Sequence, residues 1–346
     1  MFMILSLENM VERDLTVVEV KRMDMEKNME SRRQIIRPIQ GHECLSACIG
    51  NILNIYFEEI TGNEIIIGGK GFDVFYEKTS NVVSTTMYEA NFSFLDYYQV
   101  PYIHDKAGDK RLAKDILDRS LIDRKHIIIK VDASCLNYNR VFGQTSDAPH
   151  FFNIVGKSYD AYQICDGYVP TRKADVFMGD LDENILYKAW GNKQFEYIIL
   201  EEIPKKFENI ESDIMHGFLE AMRKYCKGGG VGDKYFGKDA VWNAFLNFRD
   251  IFTKEAAYEL NYQLRIYGFM AIKEMTLDYI RKKCDLIQFV SEYEGVIAEW
   301  DKILMFFMKV VFSQKIENYD SFLEKIKNCM EKEDDILKRM IAVNSV

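Results

Sequence analysis

The chain has 346 residues, a length that suits about two ordinary domains. Hydrophobic residues make up 48% and charged residues 29%, the profile of a core-forming globular protein, and a net charge of −9 argues against a nucleic-acid partner, which needs a basic footprint. No apolar run reaches the roughly 18–20 residues that cross a bilayer, so no membrane partner is expected.

The opening, MFMILSLENMVERD, lacks the basic n-region and the small-residue cleavage site of a signal peptide. Seven widely spaced cysteines, an odd number, do not read as a disulfide framework; with the missing signal they predict a reducing, cytoplasmic location.

Residues 1–35 read as an N-terminal extension with one strand at Leu15–Val20, followed by a charged, Met-rich stretch. From Arg37 the texture changes. Between Cys44 and Glu59, Leu45, Ile49, Ile52, Leu53 and Tyr56 recur at helical spacing, which predicts an amphipathic helix with Cys44 in its first turn. Gly68-Gly69-Lys70-Gly71 and short mixed elements follow. Lys125–Val131 is a β-branched run that predicts a buried strand. His150–Gly156 and Tyr162–Asp166 read as two strands of a hairpin around Lys157–Ala161, and Phe195–Leu200 as a last strand.

After Pro204 the pattern is helical, over 211–226, 238–252, 254–284, 286–313 and 319–341, interrupted chiefly by a loop at Gly228-Gly229-Gly230. This predicts a helical bundle. The charge shifts at the same place. Residues 204–346 hold 22 Lys and Arg against 23 Asp and Glu, and residues 1–203 hold 23 against 31. The expected division is an extension at 1–35, a catalytic domain at 36–203 and a helical domain at 204–346.

A thiol attacks as its thiolate, and a helix N-terminus supplies partial positive charge and free N–H groups that favour the anion. Cys44 occupies that position; Cys48 lies one turn further in. The base must come from elsewhere in the fold, with a third group to orient it. In a hairpin centred near Ser158, His150 and Asp166 lie nearly opposite one another. Directly opposed residues have Cβ atoms about 4.5–5.5 Å apart, within reach of an imidazole–carboxylate hydrogen bond. The expected triad is Cys44 as nucleophile, His150 as base and Asp166 as orienter. Asp147 is a minor alternative orienter and His42 a minor alternative base. His104, His126 and His216 are assigned to structure.

Two phosphate-loop lookalikes fail. Gly232 to Lys238 has the spacing, but Asp239 replaces the Ser or Thr and a helix precedes it; Gly68 to Gly71 is too short. His42, Cys44 and Cys48 lack a second ligand pair at zinc spacing, so no metal is expected.

The order Cys44, His150, Asp166, with the nucleophile at the start of a helix and its partners on later strands, resembles the papain-like layout. Papain-like enzymes carry an oxyanion glutamine six residues before the cysteine, where this chain has Pro38. Gln40 is the candidate here, beside the Cys44 N–H. The stretches Gly41-His42-Glu43-Cys44, Asn51-Ile52-Leu53-Asn54, Gly68-Gly69-Lys70-Gly71-Phe72 and Pro149-His150-Phe151-Phe152-Asn153-Ile154-Val155-Gly156, with Asp166-Gly167, resemble the butirosin-biosynthesis acyltransferase family. The helical tail around Gly237-Lys238-Asp239-Ala240-Val241 is also similar. One local departure is the order His-Glu-Cys, where the family has His-Cys-Glu.

The resemblance implies an α+β fold, a papain-like cysteine-enzyme domain followed by a C-terminal helical bundle. It also implies transfer of an acyl group from a carrier-protein thioester to an amine, forming an amide in specialised metabolism. The implied partners are an acyl-loaded carrier protein and a small-molecule amine. The protein itself then needs no cofactor, and phosphopantetheine enters on the carrier. A cysteine peptidase and a non-catalytic scaffold are the alternatives. Because carriers are acidic, docking is expected on a basic cluster of the helical domain: Lys205-Lys206, Arg223-Lys224 with Lys227, or Arg281-Lys282-Lys283.

Overall fold

The computed structural model describes residues 36–138, 149–169, 175–266 and 268–344. Contacts divide the chain into residues 1–36 and a unit from Arg37 to Val346. The strand expected at Leu15–Val20 lies outside the described residues, and the elements below belong to the second unit.

Helix α1 (Cys44–Leu53) buries Leu45, Ile49, Ile52 and Leu53 completely. It stops short of the expected Glu59. Asn54 turns the chain back, its Nδ2 donating to the Glu58 carbonyl at 2.5 Å and to the Ile60 carbonyl at 3.3 Å. These local bonds compete with helix continuation, as short polar side chains do. A capping box of Thr61 and Glu64 then opens α2 (Gly62–Gly68), a helix the spacing alone did not reveal.

After β1 (Val74–Glu77), β2 (Val82–Thr85) and α3 (Met87–Tyr97), the chain builds a six-stranded antiparallel sheet. In chain order its elements are β3 (Tyr102–Lys106), α4 (Lys110–Ile122), β4 (His126–Asp132), β5 (Pro149–Lys157), β6 (Ala161–Val169), β7 (Asp175–Asp182), α5 (Glu183–Gly191) and β8 (Glu196–Leu200). The spatial order is β3-β8-β4-β5-β6-β7. On one face Ile127, Ile129, Phe152 and Ile164 pack with Ala113 and Leu117 of α4 and with Leu186 and Trp190 of α5.

The alternate residues of β5 and β6 meet α1. Asn153 Nδ2 donates to the Cys48 carbonyl at 3.1 Å, and Asn51 Nδ2 reaches Asn153 Oδ1 at 3.4 Å. Gly167 permits this close approach, because a Cβ there would stand 2.7 Å from the Ile39 carbonyl oxygen and 3.0 Å from the Ala47 Cβ.

The remaining elements are α6 (Ile210–Lys227), β9 (Gly229–Val231), β10 (Lys234–Phe236), α7 (Lys238–Ile251), α8 (Lys254–Ile266), α9 (Phe269–Arg281), α10 (Val290–Phe312) and α11 (Tyr319–Val343). The helix expected over 254–284 is two helices, because Gly268 at φ 136° lies outside helical space. The loop expected at Gly228–Gly230 is largely strand. β9 and β10 join β1 and β2 in a second antiparallel sheet of order β2-β1-β10-β9, so the lookalike between Gly232 and Lys238 is a hairpin arm and not a phosphate loop.

This sheet spans the position of Pro204, as does one hydrophobic core that packs Ile66, Phe72 and Val74 with Phe218, Phe245, Phe269 and Trp300. The architecture is α+β with a C-terminal helical region. No described helix is long and apolar enough to cross a membrane.

Candidate active site

Glu43 starts α1. Its backbone is extended (φ −145°, ψ 138°), and its carboxylate caps the helix, Oε1 accepting the Leu45 N–H at 3.0 Å and Oε2 the Ser46 N–H at 2.6 Å. The preceding coil is tied on both sides of Gln40: Ile39 N–H donates to Asn51 Oδ1 and Gly41 N–H to the Gly167 carbonyl, both at 2.8 Å. Cys44 is therefore fixed at the helix start by bonds to its own helix and to β6. It is partly exposed, whereas Cys48 is fully buried.

His150 and Asp166 are both 0% exposed, and His150 Nε2 lies 2.7 Å from Asp166 Oδ2. They are not directly opposite. β5 and β6 pair Asn153 with Cys165 and Ile154 with Ile164, a register that puts Asp166 across from Phe152, two residues from His150. The pairs Lys157–Tyr162 and Gly156–Gln163 set the turn end three residues out of the expected register, and a bulge between Ile154 and Gly156 takes one residue back. A shift of two keeps both side chains on one face, so the bond forms along the diagonal.

Asp166 holds further donors. Tyr138 O–H donates to Oδ2 and the Tyr168 N–H to Oδ1, each at 3.0 Å. Tyr138 is itself clamped by stacking on Phe177, ring centroids 4.0 Å apart. Burial and the neighbouring carboxylate push the Tyr138 phenol well up, which keeps it a donor.

The Phe151 backbone, next to His150, and the Asp166 carboxylate both act on the Cys44 sulfur. The thiol is therefore near the His150 end of β5. Cys44, His150 and Asp166 thus converge at one place.

No protein-family model matches this chain. No curated protein matches it either.

The electrostatics differ from the sequence expectation in one respect. The Leu45 and Ser46 N–H groups at the helix start, expected to favour a thiolate, are taken by Glu43. Burial and then the Glu43 carboxylate push the Cys44 thiol well above its ordinary range, opposed by the Phe151 backbone. Glu43 Oε1 is 3.5 Å from the Cys44 sulfur, and Oε2 also accepts from Asn91 Nδ2 at 3.2 Å. Sequence reasoning passed over Glu43 because glutamate is not a favoured cap.

Gln40, the oxyanion candidate, is exposed on the coil between Ile39 and Gly41. His42 is occupied at both nitrogens, Nδ1 by Glu274 Oε2 at 3.2 Å and Nε2 by Asp278 Oδ2 at 2.9 Å. Burial pulls its pKa down, but the two carboxylates outweigh that and hold it at about 9. A ring so held is an anchor, not a base. His104 pairs with Glu196 at 3.0 Å, His126 meets the Tyr56 hydroxyl at 3.0 Å, and His216 is exposed. Asp147 lies outside the described residues.

The basic clusters are largely matched within the chain. Arg281 bonds Asp278 and Glu294, Lys282 bonds Glu64, and Lys283 bonds Glu211. Lys206 pairs with Glu208 and Lys224 with Asp73. Such pairing weakens the field these clusters present to an acidic partner.

Proposed function

We propose that this chain is a papain-like cysteine acyltransferase that forms an amide from a carrier-protein thioester and an amine. The observation that carries the reading is the buried His150–Asp166 pair, with the Cys44 sulfur within the influence of Asp166 and of the Phe151 backbone next to His150. The resemblance around Cys44 and His150 to the butirosin-biosynthesis acyltransferases supplies the substrate class. In size and layout the chain is also similar to the amide synthase of closthioamide assembly.

In the first half-reaction the Cys44 sulfur attacks the thioester carbonyl and its proton passes to His150 Nδ1. The tetrahedral intermediate collapses, the carbon–sulfur bond to the carrier breaks, and the phosphopantetheine thiolate leaves with the proton from His150. In the second, the amine attacks the acyl-Cys44 carbonyl and gives a proton to His150. That proton returns to the Cys44 sulfur as the amide departs. Asp166 holds the imidazole and supports its charge throughout. The Cys44 N–H and Gln40 are the proposed oxyanion donors, and the cytoplasm is the proposed location.

Incubation with an acyl-loaded carrier and an amine, followed by intact-protein mass spectrometry, tests the reading. Acyl addition at Cys44 with amide product is expected. Acyl addition followed only by hydrolysis would make the protein a hydrolase of peptidase type. No adduct on the wild type, with the fold intact, would leave a scaffold.

A further inference from the structure

The Glu43 carboxylate is more tightly held than a helix cap requires. Four donors surround it: the Leu45 and Ser46 N–H groups of α1, the Asn91 side chain of α3, and the Cys44 thiol. Asn91 is 0% exposed and is itself fixed by donation to the Met87 and Tyr88 carbonyls at 3.1 and 3.2 Å. Serine, threonine, aspartate and asparagine cap helices best, because a short side chain reaches the N2 and N3 amides directly. A glutamate here curls back instead, and that puts one carboxylate oxygen against the sulfur of the next residue.

The consequence is chemical. Helix-start amides stabilise negative charge brought to them, yet here they already bind an anion. A thiolate forming beside that anion gains little from the amides and meets a like charge at close range.

The other titratable groups around the sulfur do not reverse this. Asp166 on β6 is a second like charge, and Cys48 lies one turn along α1. Tyr168 on β6 and Tyr88 on α3 are neutral phenols with raised pKa values, Tyr88 at about 12. Glu274 on α9 acts on Tyr168 and is bound by His42. His150 is the neighbour that can take the proton.

We propose that Glu43 is a positioning residue that holds Cys44 as a protonated thiol in the free enzyme, occupying the amide cradle at the helix start until substrate is present. The thiolate, not the thiol, is alkylated and oxidised. A nucleophile held this way is guarded in a reducing or mildly oxidising setting and transfers its proton to His150 only in step with attack. The inference rests on Cys44 being the nucleophile of the proposed transfer.

The test is the pH dependence of Cys44 alkylation by iodoacetamide over roughly pH 6 to 10, in wild type, Glu43→Gln and Glu43→Ser. Peptide mass spectrometry separates Cys44 from Cys135 and Cys284, which are also accessible. Glutamine keeps the size and serine keeps a capping oxygen, and both remove the charge. Each is expected to lower the alkylation midpoint by about one unit or more. The rate at neutral pH then rises by roughly three- to fourfold per unit, because a tenfold gain in thiolate is partly offset by its weaker nucleophilicity.

An unmoved midpoint in both variants, with an unchanged circular-dichroism melt, overturns the proposal. Unfolding of both variants also overturns it, since Glu43 would then be a cap and nothing more. Alkylation needs no acyl substrate, so acyl transfer surviving in Cys44→Ala would sink the function while leaving a shifted midpoint standing.

Discussion

Asp166→Asn tests the geometry around His150 most directly, because the carboxylate accepts three hydrogen bonds and an amide cannot. His150 Nε2 and Tyr138 O–H share Oδ2, at 2.7 and 3.0 Å, and the Tyr168 N–H takes Oδ1 at 3.0 Å. With its oxygen in the Oδ2 place, asparagine keeps His150 Nε2 and Tyr138 satisfied. Its NH2 group then faces the Tyr168 N–H, donor against donor, at a side chain with no solvent exposure. A buried group left unpaired costs about 1–3 kcal/mol. The flipped amide is worse, because it opposes two donors and forces the imidazole into the wrong tautomer.

The expected variant is therefore destabilised by about 1–3 kcal/mol in urea denaturation followed by circular dichroism. Its single-turnover acyl transfer falls by roughly ten- to a hundredfold, a part of the 10²–10⁴ that acid–base catalysis supplies. His150→Ala loses that whole factor. Asp166→Asn as slow as His150→Ala would show that the ring is not held in the tautomer described. Unchanged stability would show that Asp166 does not accept all three bonds.

Cys44→Ala is expected to abolish transfer, and Cys48→Ala to keep most of it, since Cys48 packs beneath the site and only its carbonyl contacts Asn153; equal loss in two folded variants, read by product formation, would move the nucleophile. His42, held at about 9 against an ordinary value near 6.5, stabilises the fold in full below about pH 6.5 and loses that contribution as pH rises through about 9. Unfolding free energies from urea denaturation at those two pH values should differ by about 1–3 kcal/mol more in wild type than in His42→Gln, and parallel curves would refute the clamp.

Lys273 and Glu333 form an almost fully buried pair in which Tyr225, Tyr293 and Trp300 also donate to Glu333. Lys273→Met should cost about 3–5 kcal/mol by stranding that carboxylate. Adding Glu333→Gln should recover most of the loss, and a double variant no more stable than the single would contradict this account of the pair.

The reach of the sequence can be judged residue by residue. α1 was legible because Leu45, Ile49, Ile52 and Leu53 mark one face, and the pairing of His150 with Asp166 was legible because strand faces alternate with period two. A register shift of two residues was harmless; a shift of one would have sent the two side chains to opposite faces. β1 and β2 were not legible as partners of β9 and β10, since nothing local in Val74–Thr85 specifies a partner about 150 residues away. Glu43 was missed because glutamate is an unusual cap, and because its partner Asn91 comes from α3, far along the chain.

The same distance effects bear on how the helical region relates to the site. His42 stands two residues before Cys44, and both of its carboxylate partners project from α9, at Glu274 and Asp278, one helical turn apart. The coil that sets the start of α1 is thus gripped from three sides: by Asn51 within α1, by the Gly167 carbonyl on β6, and by α9 through His42. The core that joins Ile66 and Phe72 to Phe269 and Trp300 keeps α9 in place. A change of charge or packing on α9 therefore acts on the backbone that carries Cys44, the proposed nucleophile, without touching Cys44, His150 or Asp166. The helices after Pro204 thus help to fix the start of α1, where Cys44 lies.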